Sequence, residues 1–346
     1  MSGAVCKSMN ITVPDPERVG AIIREVAAEE ILPRFRRLDE ADVREKGPGD
    51  LVTVADLASE RRLSLALGEL IPGSVAVGEE AVAANPELVF EVGREEAVWI
   101  IDPLDGTANF VAGEAVFAVI VALTSGGRCL AGWIYDPNRD ELVSALAGAG
   151  AWRGEERLGV AAGAPPAEMI GALAPKCLSP ARLRHLDGKY PYHGDAVSRR
   201  CAGRDYMDLA SGARHFTMYN RLMPWDHVAG VFIHAEAGGY AAFTDGAPYV
   251  TTRLLGPLLV APDEVSWRAL HTSLFGISPE GESRGHTYQV APFGIRWRAR
   301  DSGHGKEYRR ITNSRNVAWR TRKWPSSALA SWGSPWPGIS PPRGTR

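Results

Sequence analysis

The sequence predicts an α/β protein of the α+β type, in which helices cover sheets that are largely antiparallel. Segments 117–123 and 129–135 are rich in residues that favour strands, and they flank a Ser-Gly-Gly turn at 125–127, which is typical of a β-hairpin. Two more strand-like segments, 141–145 and 150–153, extend this hairpin into a meander. Consecutive hairpins favour an antiparallel sheet, and apolar residues at helical spacing elsewhere predict the helices.

In the first half of the chain, a helix is predicted to begin at Asp15 and Pro16, a favourable N-cap and first-turn pair, and to run towards the middle thirties. A Gly/Pro break at 47–49 and a short strand-like run lead to Asp56. A second helix follows and ends at the Pro-Gly pair 72–73. Considered alone, Asp56 is an N-cap of this helix.

In the second half, helices are predicted over 205–212, from the segment 222–230 to the glycines at 238–239, and from 263 to about 275. A last strand is predicted at 258–261.

Composition excludes several classes of protein. No stretch approaches the roughly 18 to 20 apolar residues of a membrane span, and the first residues do not resemble a signal peptide. We therefore expect a cytoplasmic protein without a membrane segment. The cysteines are widely scattered, which indicates neither a metal site nor a disulfide framework. They are Cys6, Cys129, Cys177 and Cys201.

The last part of the chain differs from the rest in charge. Residues 277–346 carry thirteen Lys or Arg and four Asp or Glu, a net charge near +9, whereas residues 1–276 carry a net charge near −11. We expect one folded domain over 1–276 and a basic extension over 277–346, rich in Trp, Arg and Pro, that is disordered because it lacks a helical or strand period. Its interleaved basic and aromatic residues leave an RNA-associated regulatory role as an alternative function.

Two acids follow the most apolar strand. The buried strand 98–101 is predicted to end at Asp102, because Pro103 lacks an N–H and a turn follows at Asp105 and Gly106. Both carboxylates should then emerge together at the carboxyl end of the strand. Adjacent carboxylates repel each other, and a hard divalent cation such as Mg²⁺ relieves this repulsion.

Other acids occupy comparable positions. The strand 74–78 runs into Glu79 and Glu80, and since successive strand residues point to opposite faces, at most one of the two is expected to face a common site. Asp226 stands at a helix start, where an N-cap and a metal ligand are compatible roles. Five acids thus lie where an element begins or ends: Asp56, Glu79, Asp102, Asp105 and Asp226.

Four segments, in this order along the chain, resemble the motif set of the inositol monophosphatase family. They are Asp50–Asp56 (DLVTVAD), Gly78–Glu80 (GEE), Asp102–Thr107 (DPLDGT) and Trp225–Gly230 (WDHVAG). The resemblance covers roughly residues 15–275 and implies a metal-dependent, lithium-sensitive phosphatase with a layered α-β-α-β-α sandwich of the sugar-phosphatase type. It also implies a homodimer and a small phosphorylated substrate.

The resemblance implies a metal centre with two or three Mg²⁺ ions. Glu79, Asp102 and the backbone carbonyl of Leu104 would hold the first ion, while Asp102, Asp105 and Asp226 would hold a second. Divalent ions would reverse the repulsion between this acidic domain and a phosphate ester, and they would lower the pKa of a bound water.

The resemblance also implies catalytic and phosphate-binding residues. Thr107 and Asp56 would position and deprotonate the water that attacks phosphorus. The backbone amides of Gly106 and Thr107 would contact the phosphate. Lys46 lies where the family has a lysine near the phosphate, although the local spacing differs slightly.

The sequence is compatible with several substrates. Inositol-specific members have a glutamate where this chain has Tyr219, and a phenol lacks the charge of a carboxylate, so inositol phosphate stands beside related polyol or sugar phosphates. Arg221 could face a second anionic group. The alternatives are histidinol phosphate, fructose 1,6-bisphosphate and 3′-phosphoadenosine 5′-phosphate.

Overall fold

The structure, a computed structural model, describes residues 11–47, 49–173 and 199–276 and the backbone of residues 296–301 and 306–311. The chain divides into two compact units, Met1–Phe293 and Gly294–Arg346. The described α-helices are α1 (Pro16–Val26), α2 (Val54–Leu70), α3 (Glu79–Ala84), α4 (Thr107–Val111), α5 (Ala202–Ala210), α6 (Pro224–Glu236) and α7 (Glu264–Phe275). The described strands are β1 (Val43–Gly47), β2 (Asp50–Thr53), β3 (Val75–Gly78), β4 (Val98–Asp105), β5 (Ala118–Ser125), β6 (Arg128–Asp136), β7 (Glu141–Leu146), β8 (Gly150–Arg153), β9 (Glu156–Arg157), β10 (Gly171–Leu173), β11 (Phe216–Arg221), β12 (Tyr240–Phe243), β13 (Leu255–Ala261), β14 (Arg296–Asp301) and β15 (Lys306–Ile311).

The N-terminal helix forms as the sequence predicts. Asp15 caps α1 by accepting a hydrogen bond from the Glu17 N–H at 3.0 Å, and Pro16 is the first helical residue. The helical path continues through a π-helical turn at Ala27–Ile31 and a 3₁₀ turn at Leu32–Arg34. The prediction of a helix that reaches the middle thirties is confirmed.

The larger sheet has seven strands in the order β3-β4-β5-β6-β7-β8-β9. Strands β3 and β4 are parallel, and every later neighbouring pair is antiparallel. The predicted hairpin consists of β5 and β6, joined by Gly126 and Gly127, which both have positive φ as a two-residue hairpin turn of this kind requires. Strands β7 and β8 complete the predicted meander.

The smaller sheet has four strands in the order β10-β11-β13-β12, of which β10 and β11 are parallel. Strand β13 contains the predicted segment 258–261 and begins three residues earlier. The sequence does not predict its neighbours β11 and β12. Helix α7 then begins after Asp263, whose side chain accepts from the Ser266 N–H, as predicted.

Five layers pack through three apolar cores, of which the middle one surrounds the central helices and reaches both sheets. Helices α1 and α2 cover one face of the larger sheet, where Trp99 and Trp133 pack. Val98 and Ile100 point to the opposite face, into a core that α6 and residues of the smaller sheet share. Helix α7 covers the outer face of the smaller sheet through Trp267. The result is the α-β-α-β-α sandwich that the resemblance implies.

Strand β4 is longer than predicted. The sequence predicts its end at Asp102, but β4 continues to Asp105, with Asp102 opposite Ile120 and Asp105 opposite Ala118 of β5. The register shifts between these two pairs, and the bulge accommodates Pro103, whose missing N–H therefore breaks no regular ladder hydrogen bond. The two acids stand on either side of this bulge.

In the second unit, β14 and β15 form an antiparallel pair that the sequence does not predict. The predicted domain boundary at 277, most of the basic extension, Cys6 and Cys177 lie outside the described residues. Cys129 and Cys201 are free thiols. In the part of the chain that the structure describes, no helix has the length and apolar character needed to cross a bilayer.

Candidate active site

One cleft of about 120 Å³ gathers residues from distant parts of the sequence. Its lining residues are Asp50, Glu79, Asp102, Leu104, Asp105, Gly106, Thr107, Arg221, Trp225 and Asp226. Eight of these ten residues are predicted from the sequence to belong to the site. Asp50 and Trp225 were not predicted as site residues. Each lies in one of the four motifs, and its place in the motif was the available signal.

Asp56 lies behind the cleft and is connected to it by Thr107. Thr107 Oγ1 lies 2.9 Å from Asp56 Oδ1 and 3.0 Å from the carbonyl oxygen of Leu104, so its single hydrogen has two acceptors. Asp56 Oδ2 accepts from the N–H and the hydroxyl of Thr53, which is the N-cap of α2. The prediction that Asp56 is itself the N-cap is therefore wrong, because Asp56 is the third helical residue of a capping box. Burial raises the pKa of Asp56 to about 6, although the hydrogen bond from Thr53 lowers it.

One carboxylate oxygen of Asp102 and one of Asp105 accept hydrogen bonds from the protein itself. The Leu104 N–H donates to Asp102 Oδ1 at 3.0 Å, and the Gly203 N–H donates to Asp105 Oδ2 at 2.6 Å. The Cys201 thiol donates to the same Asp105 oxygen, 3.1 Å away. Burial raises the pKa of Asp105 to about 6, while these donors lower it. The donors orient both carboxylates in the way that outer-shell groups orient metal ligands.

Gly106 makes the turn from β4 into α4. Its φ of 92° is left-handed, and a Cβ at this position would lie 2.9 Å from the carbonyl oxygen of Val116. Glycine is therefore required here by both conformation and space. Helix α4 begins at the next residue, Thr107, so the backbone of both residues lies beside the acids of β4.

Glu79 is paired with a buried lysine. Lys46 Nζ lies 2.7 Å from Glu79 Oε1 and 2.9 Å from Glu80 Oε1. Burial lowers the pKa of Lys46, but the two carboxylates outweigh burial and raise it. Of the two glutamates, Glu79 lines the cleft and Glu80 does not, which agrees with the expectation that at most one of them faces a common site, although both belong to the first turn of α3 rather than to a strand. Lys46 itself does not line the cleft.

Glu60 is a buried residue that sequence reasoning missed. Its carboxylate accepts from the N–H groups of Glu80 at 2.7 Å and Ala81 at 2.8 Å, which supplies the start of α3 with the cap that Gly78 cannot provide. Burial raises the pKa of Glu60 to about 7, against the effect of these two hydrogen bonds. Glu60 thereby positions Glu79, the first residue of α3. Its place four residues after Asp56, on the same side of α2, was the available signal.

The electrostatics of the cleft fit a divalent cation. Burial, followed by the charges of Glu79 and Asp105, raises the pKa of both Asp102 and Asp226 well above the ordinary value. Among the described residues, no three His, Cys, Asp or Glu side chains already stand together as a metal-ligand set. The donor chemistry nevertheless fits Mg²⁺, because carboxylates and the Leu104 carbonyl share one desolvated, strongly negative cleft.

Helix α6 brings Asp226 to the cleft from its first turn. The helix begins at Pro224 with Met223 as its N-cap residue, so the N-cap role predicted for Asp226 is wrong. The adjacent His227 is buried, and its Nε2 lies 3.0 Å from the carbonyl oxygen of Arg221. Asp226, Trp225 and Arg221 thus reach the cleft from one rigid junction between β11 and α6.

Tyr219 is not among the residues that line the cleft. Its hydroxyl is buried, and its ring packs against the rings of Tyr206 and His227, with centroids 5.6 Å and 4.5 Å away. The side chain therefore belongs to the aromatic core between the two sheets. The substrate contact predicted for it is not supported by this placement.

Comparison with known proteins places this site in a family. Residues 17–275 match the inositol monophosphatase family. The chain belongs to this family. The match spans the four motifs, the whole cleft and all five layers of the fold.

The match covers most of the length of individual relatives. An inositol-1-monophosphatase of Mesorhizobium japonicum is 33% identical over 244 residues, which are 68% of this chain and 87% of the relative. The Nus factor SuhB of Haemophilus influenzae is 32% identical over 272 residues, 74% of this chain and 92% of the relative. The solved structure of inositol monophosphatase II from Staphylococcus aureus has a TM-score of 0.61 at 25% identity, covering 76% of this chain and 95% of that chain.

Proposed function

We propose that this protein is a Mg²⁺-dependent phosphatase that hydrolyses a small phosphate monoester, an inositol phosphate or a related polyol or sugar phosphate. The observation that carries the proposal is that Thr107, which is hydrogen-bonded to Asp56, shares one cleft with Glu79, Asp102, Asp105 and Asp226. Membership of the inositol monophosphatase family supports a phosphatase activity, and the family is generally Mg²⁺-dependent.

In this proposal the acids of the cleft hold two or three Mg²⁺ ions. Glu79, Asp102 and the Leu104 carbonyl hold the first, and Asp102, Asp105 and Asp226 hold a second. When bound, such ions polarise the phosphoester and lower the pKa of a coordinated water. Without cations, the raised carboxyl pKa values of the cleft indicate a field that repels a phosphate dianion.

Thr107 and Asp56 act on the attacking water. When the Thr107 hydroxyl donates to Asp56 Oδ1, its oxygen keeps lone pairs that accept a hydrogen bond from a water in the cleft. Asp56 is then the final proton acceptor. Its pKa of about 6 suits it better for this task near neutral pH than an ordinary carboxylate pKa of about 4 would.

The phosphate group is assigned to the turn that follows β4. The backbone amides of Gly106 and Thr107 hold its oxygens in this proposal, and the left-handed turn at Gly106 keeps that backbone free of a side chain. A contact between Lys46 and phosphate stays a prediction, since its ammonium donates to Glu79 and Glu80 and Lys46 does not line the cleft.

A phosphate-release screen tests the proposal directly. Sugar, polyol, amino-alcohol and nucleotide monoesters are incubated with the full chain and Mg²⁺, with and without excess EDTA. Release from at least one class that EDTA abolishes is the expected result. Release of no phosphate from any ester, or undiminished turnover in EDTA, contradicts the proposal. The screen also separates polyol and sugar phosphates from histidinol phosphate and 3′-phosphoadenosine 5′-phosphate.

A surface acid provides the control for this screen. Asp140 is 74% exposed and has a left-handed φ of 49°, which asparagine adopts readily. Asp140→Asn should leave kcat/KM within about twofold of the wild-type value, because Asp140 does not line the cleft and the amide oxygen of asparagine can still accept from Arg24 and from the Tyr135 hydroxyl. A large loss in this variant would mean that removal of any carboxylate, in the cleft or outside it, impairs the enzyme.

Three properties implied by the family complete the proposal. We expect inhibition by LiCl but not by equal NaCl, a homodimer by sedimentation, and a cytoplasmic location. The first two are read directly with the purified chain, and the third by fractionation of cells that produce it.

The relatives named Nus factor SuhB favour a second candidate function. In this alternative the phosphatase scaffold serves an RNA-associated regulatory role through the basic extension at 277–346, whose net charge is near +9. Deletion of 277–346 discriminates between the roles. Unchanged Mg²⁺-dependent turnover with lost RNA binding supports a dual role, whereas no RNA binding by the full chain at any salt concentration refutes the alternative.

A further inference from the structure

Arg221 is the basic residue of an otherwise acidic cleft. Within the described ranges it is the one Lys or Arg among the residues that line the cleft, whereas five lining residues are Asp or Glu. It is exposed, and in the described part of the chain its guanidinium has no carboxylate partner in a salt bridge. Its charge acts on Asp226, but since no salt bridge holds the guanidinium, its N–H donors remain available to a ligand in the cleft.

The backbone of Arg221 is held in place by buried groups. Arg221 is the last residue of β11 and lies opposite Leu255 of β13, after a shift in strand register. Its carbonyl oxygen lies 3.0 Å from His227 Nε2, and His227 Nδ1 lies 3.1 Å from the Tyr206 hydroxyl.

These distances fix the tautomer of His227. Because a carbonyl can only accept, His227 Nε2 carries the hydrogen, and the Tyr206 hydroxyl donates to Nδ1. His227 is buried, and these two hydrogen bonds hold its ring in place. Arg221 therefore projects from a fixed point next to Asp226, while its side chain remains accessible.

The chemistry of a guanidinium indicates what it would recognise. Its planar fork of N–H donors matches a carboxylate or a phosphate with two parallel hydrogen bonds. The hydroxyl groups of a neutral polyol do not require a full positive charge. The phosphate that undergoes hydrolysis has its own assigned partners, namely the metal ions and the turn at Gly106 and Thr107.

We propose that Arg221 binds a second anionic group of the substrate, so that the preferred substrates are sugar or polyol phosphates that carry another phosphate or a carboxylate. This inference rests on the proposed phosphatase function and narrows its substrate class. Arg221 is then a specificity-determining residue, and it takes no part in the transfer of the proton to Asp56.

Matched substrate pairs test this inference. Fructose 1,6-bisphosphate is compared with fructose 1-phosphate and fructose 6-phosphate, and 6-phosphogluconate with glucose 6-phosphate, as the ratio of kcat/KM within each set. The wild-type chain should prefer the doubly anionic member of at least one set by about tenfold or more, since charge-assisted hydrogen bonds are strong. The two sets distinguish a second phosphate from a carboxylate.

Variants of Arg221 test whether this side chain causes the preference for doubly anionic substrates. Arg221→Gln should bring the ratio close to one, chiefly by raising KM for the doubly anionic substrate, and Arg221→Lys should recover only part of it because lysine lacks the fork. Arg128→Gln, at an exposed arginine at the start of β6, should keep the wild-type ratio. Thermal unfolding checks that each variant is folded.

The outcomes separate this inference from the proposed function. If the wild-type chain hydrolyses no ester, the phosphatase proposal fails. If it hydrolyses single and double anions equally well, or if Arg221→Gln leaves the ratio unchanged, only the role of Arg221 is refuted. An equal loss on every substrate also refutes it, because Arg221 would then contact the reacting phosphate.

Discussion

Replacement of Gly78 by alanine should disrupt the support of α3 and weaken both the fold and the binding of Mg²⁺ at the proposed metal site. Gly78 ends β3, and a Cβ added there would come closer than 3.0 Å to three carboxyl atoms of Glu60. Glu60 is buried beneath this residue and cannot keep its position beside the new methyl group. Its displacement would break the two hydrogen bonds to the N–H groups of Glu80 and Ala81.

The size of the effect follows from these contacts. Hydrogen bonds to a charged group contribute about 1.5 to 3 kcal/mol each, and overpacking costs about 1 to 3 kcal/mol. Because Glu60 can relax in part, we expect the free energy of unfolding to fall by about 2 to 4 kcal/mol. For a folded unit of this size the corresponding decrease in Tm is about 5 to 12 °C. Since Glu79 begins α3, Mg²⁺ affinity should also fall by about tenfold, as it does when outer-shell groups are lost.

The assay combines thermal unfolding in EDTA with calorimetric titration of Mg²⁺. Gly68→Ala is the matched control, because Gly68 lies on α2 together with Glu60 and an added Cβ has nothing within 4 Å. Alanine favours a helix over glycine by about 1 kcal/mol, so this variant should unfold at the same or a higher temperature. If both variants unfold at the same temperature and bind Mg²⁺ equally, Glu60 does not support α3 and the reasoning is refuted.

Three further predictions concern the cleft and the core. Asp105→Asn should lower kcat/KM at least about a hundredfold, because it removes a proposed metal ligand. It should not lower Tm in EDTA, because it removes one of several buried charges that repel each other. A lower Tm with retained activity would contradict the role of Asp105 as a metal ligand. Thr107→Val should lower kcat about a hundredfold or more but keep Mg²⁺ binding, measured by kinetics and calorimetry, and unchanged kcat would exclude the hydroxyl from water activation. Burial lowers the pKa of His234 to about 4. As the pH falls from about 6.5 to 4, this histidine therefore takes up a proton in the unfolded chain but stays neutral in the folded chain. His234 thus lowers the free energy of unfolding over this pH range. When the pH is lowered from 7.5 to 5.5, the free energy of unfolding measured in urea titrations should fall by about 1 to 1.5 kcal/mol less in His234→Gln than in the wild type. Equal decreases in the two proteins would show that His234 is protonated in the fold.

Features that depend on neighbouring residues were predictable from the sequence alone. The Gly126–Gly127 turn, the Asp15 cap and the helix that follows Asp263 rest on local backbone chemistry, which acts within a few residues. The positions of the acids at the ends of elements are equally local. The sequence therefore predicted the class of the fold and most residues of the cleft.

Tertiary structure alone decided how those residues act together. The contact between Thr107 and Asp56 spans 51 positions, and the pairing of Lys46 with both glutamates of α3 spans more than 30. The second sheet was missed because its strands β11 and β12 depend on pairing with β13 rather than on their own pattern.

The same reason explains why two residues that the sequence offers for substrate contact are placed differently. Tyr219 and Arg221 lie two positions apart on β11, yet one hydroxyl is buried among aromatic rings and one guanidinium is exposed in the cleft. A shift in strand register lies between them, and it depends on the partner strand β13. Which side chain meets a substrate is therefore set by packing between layers, a property that no local stretch of this chain contains.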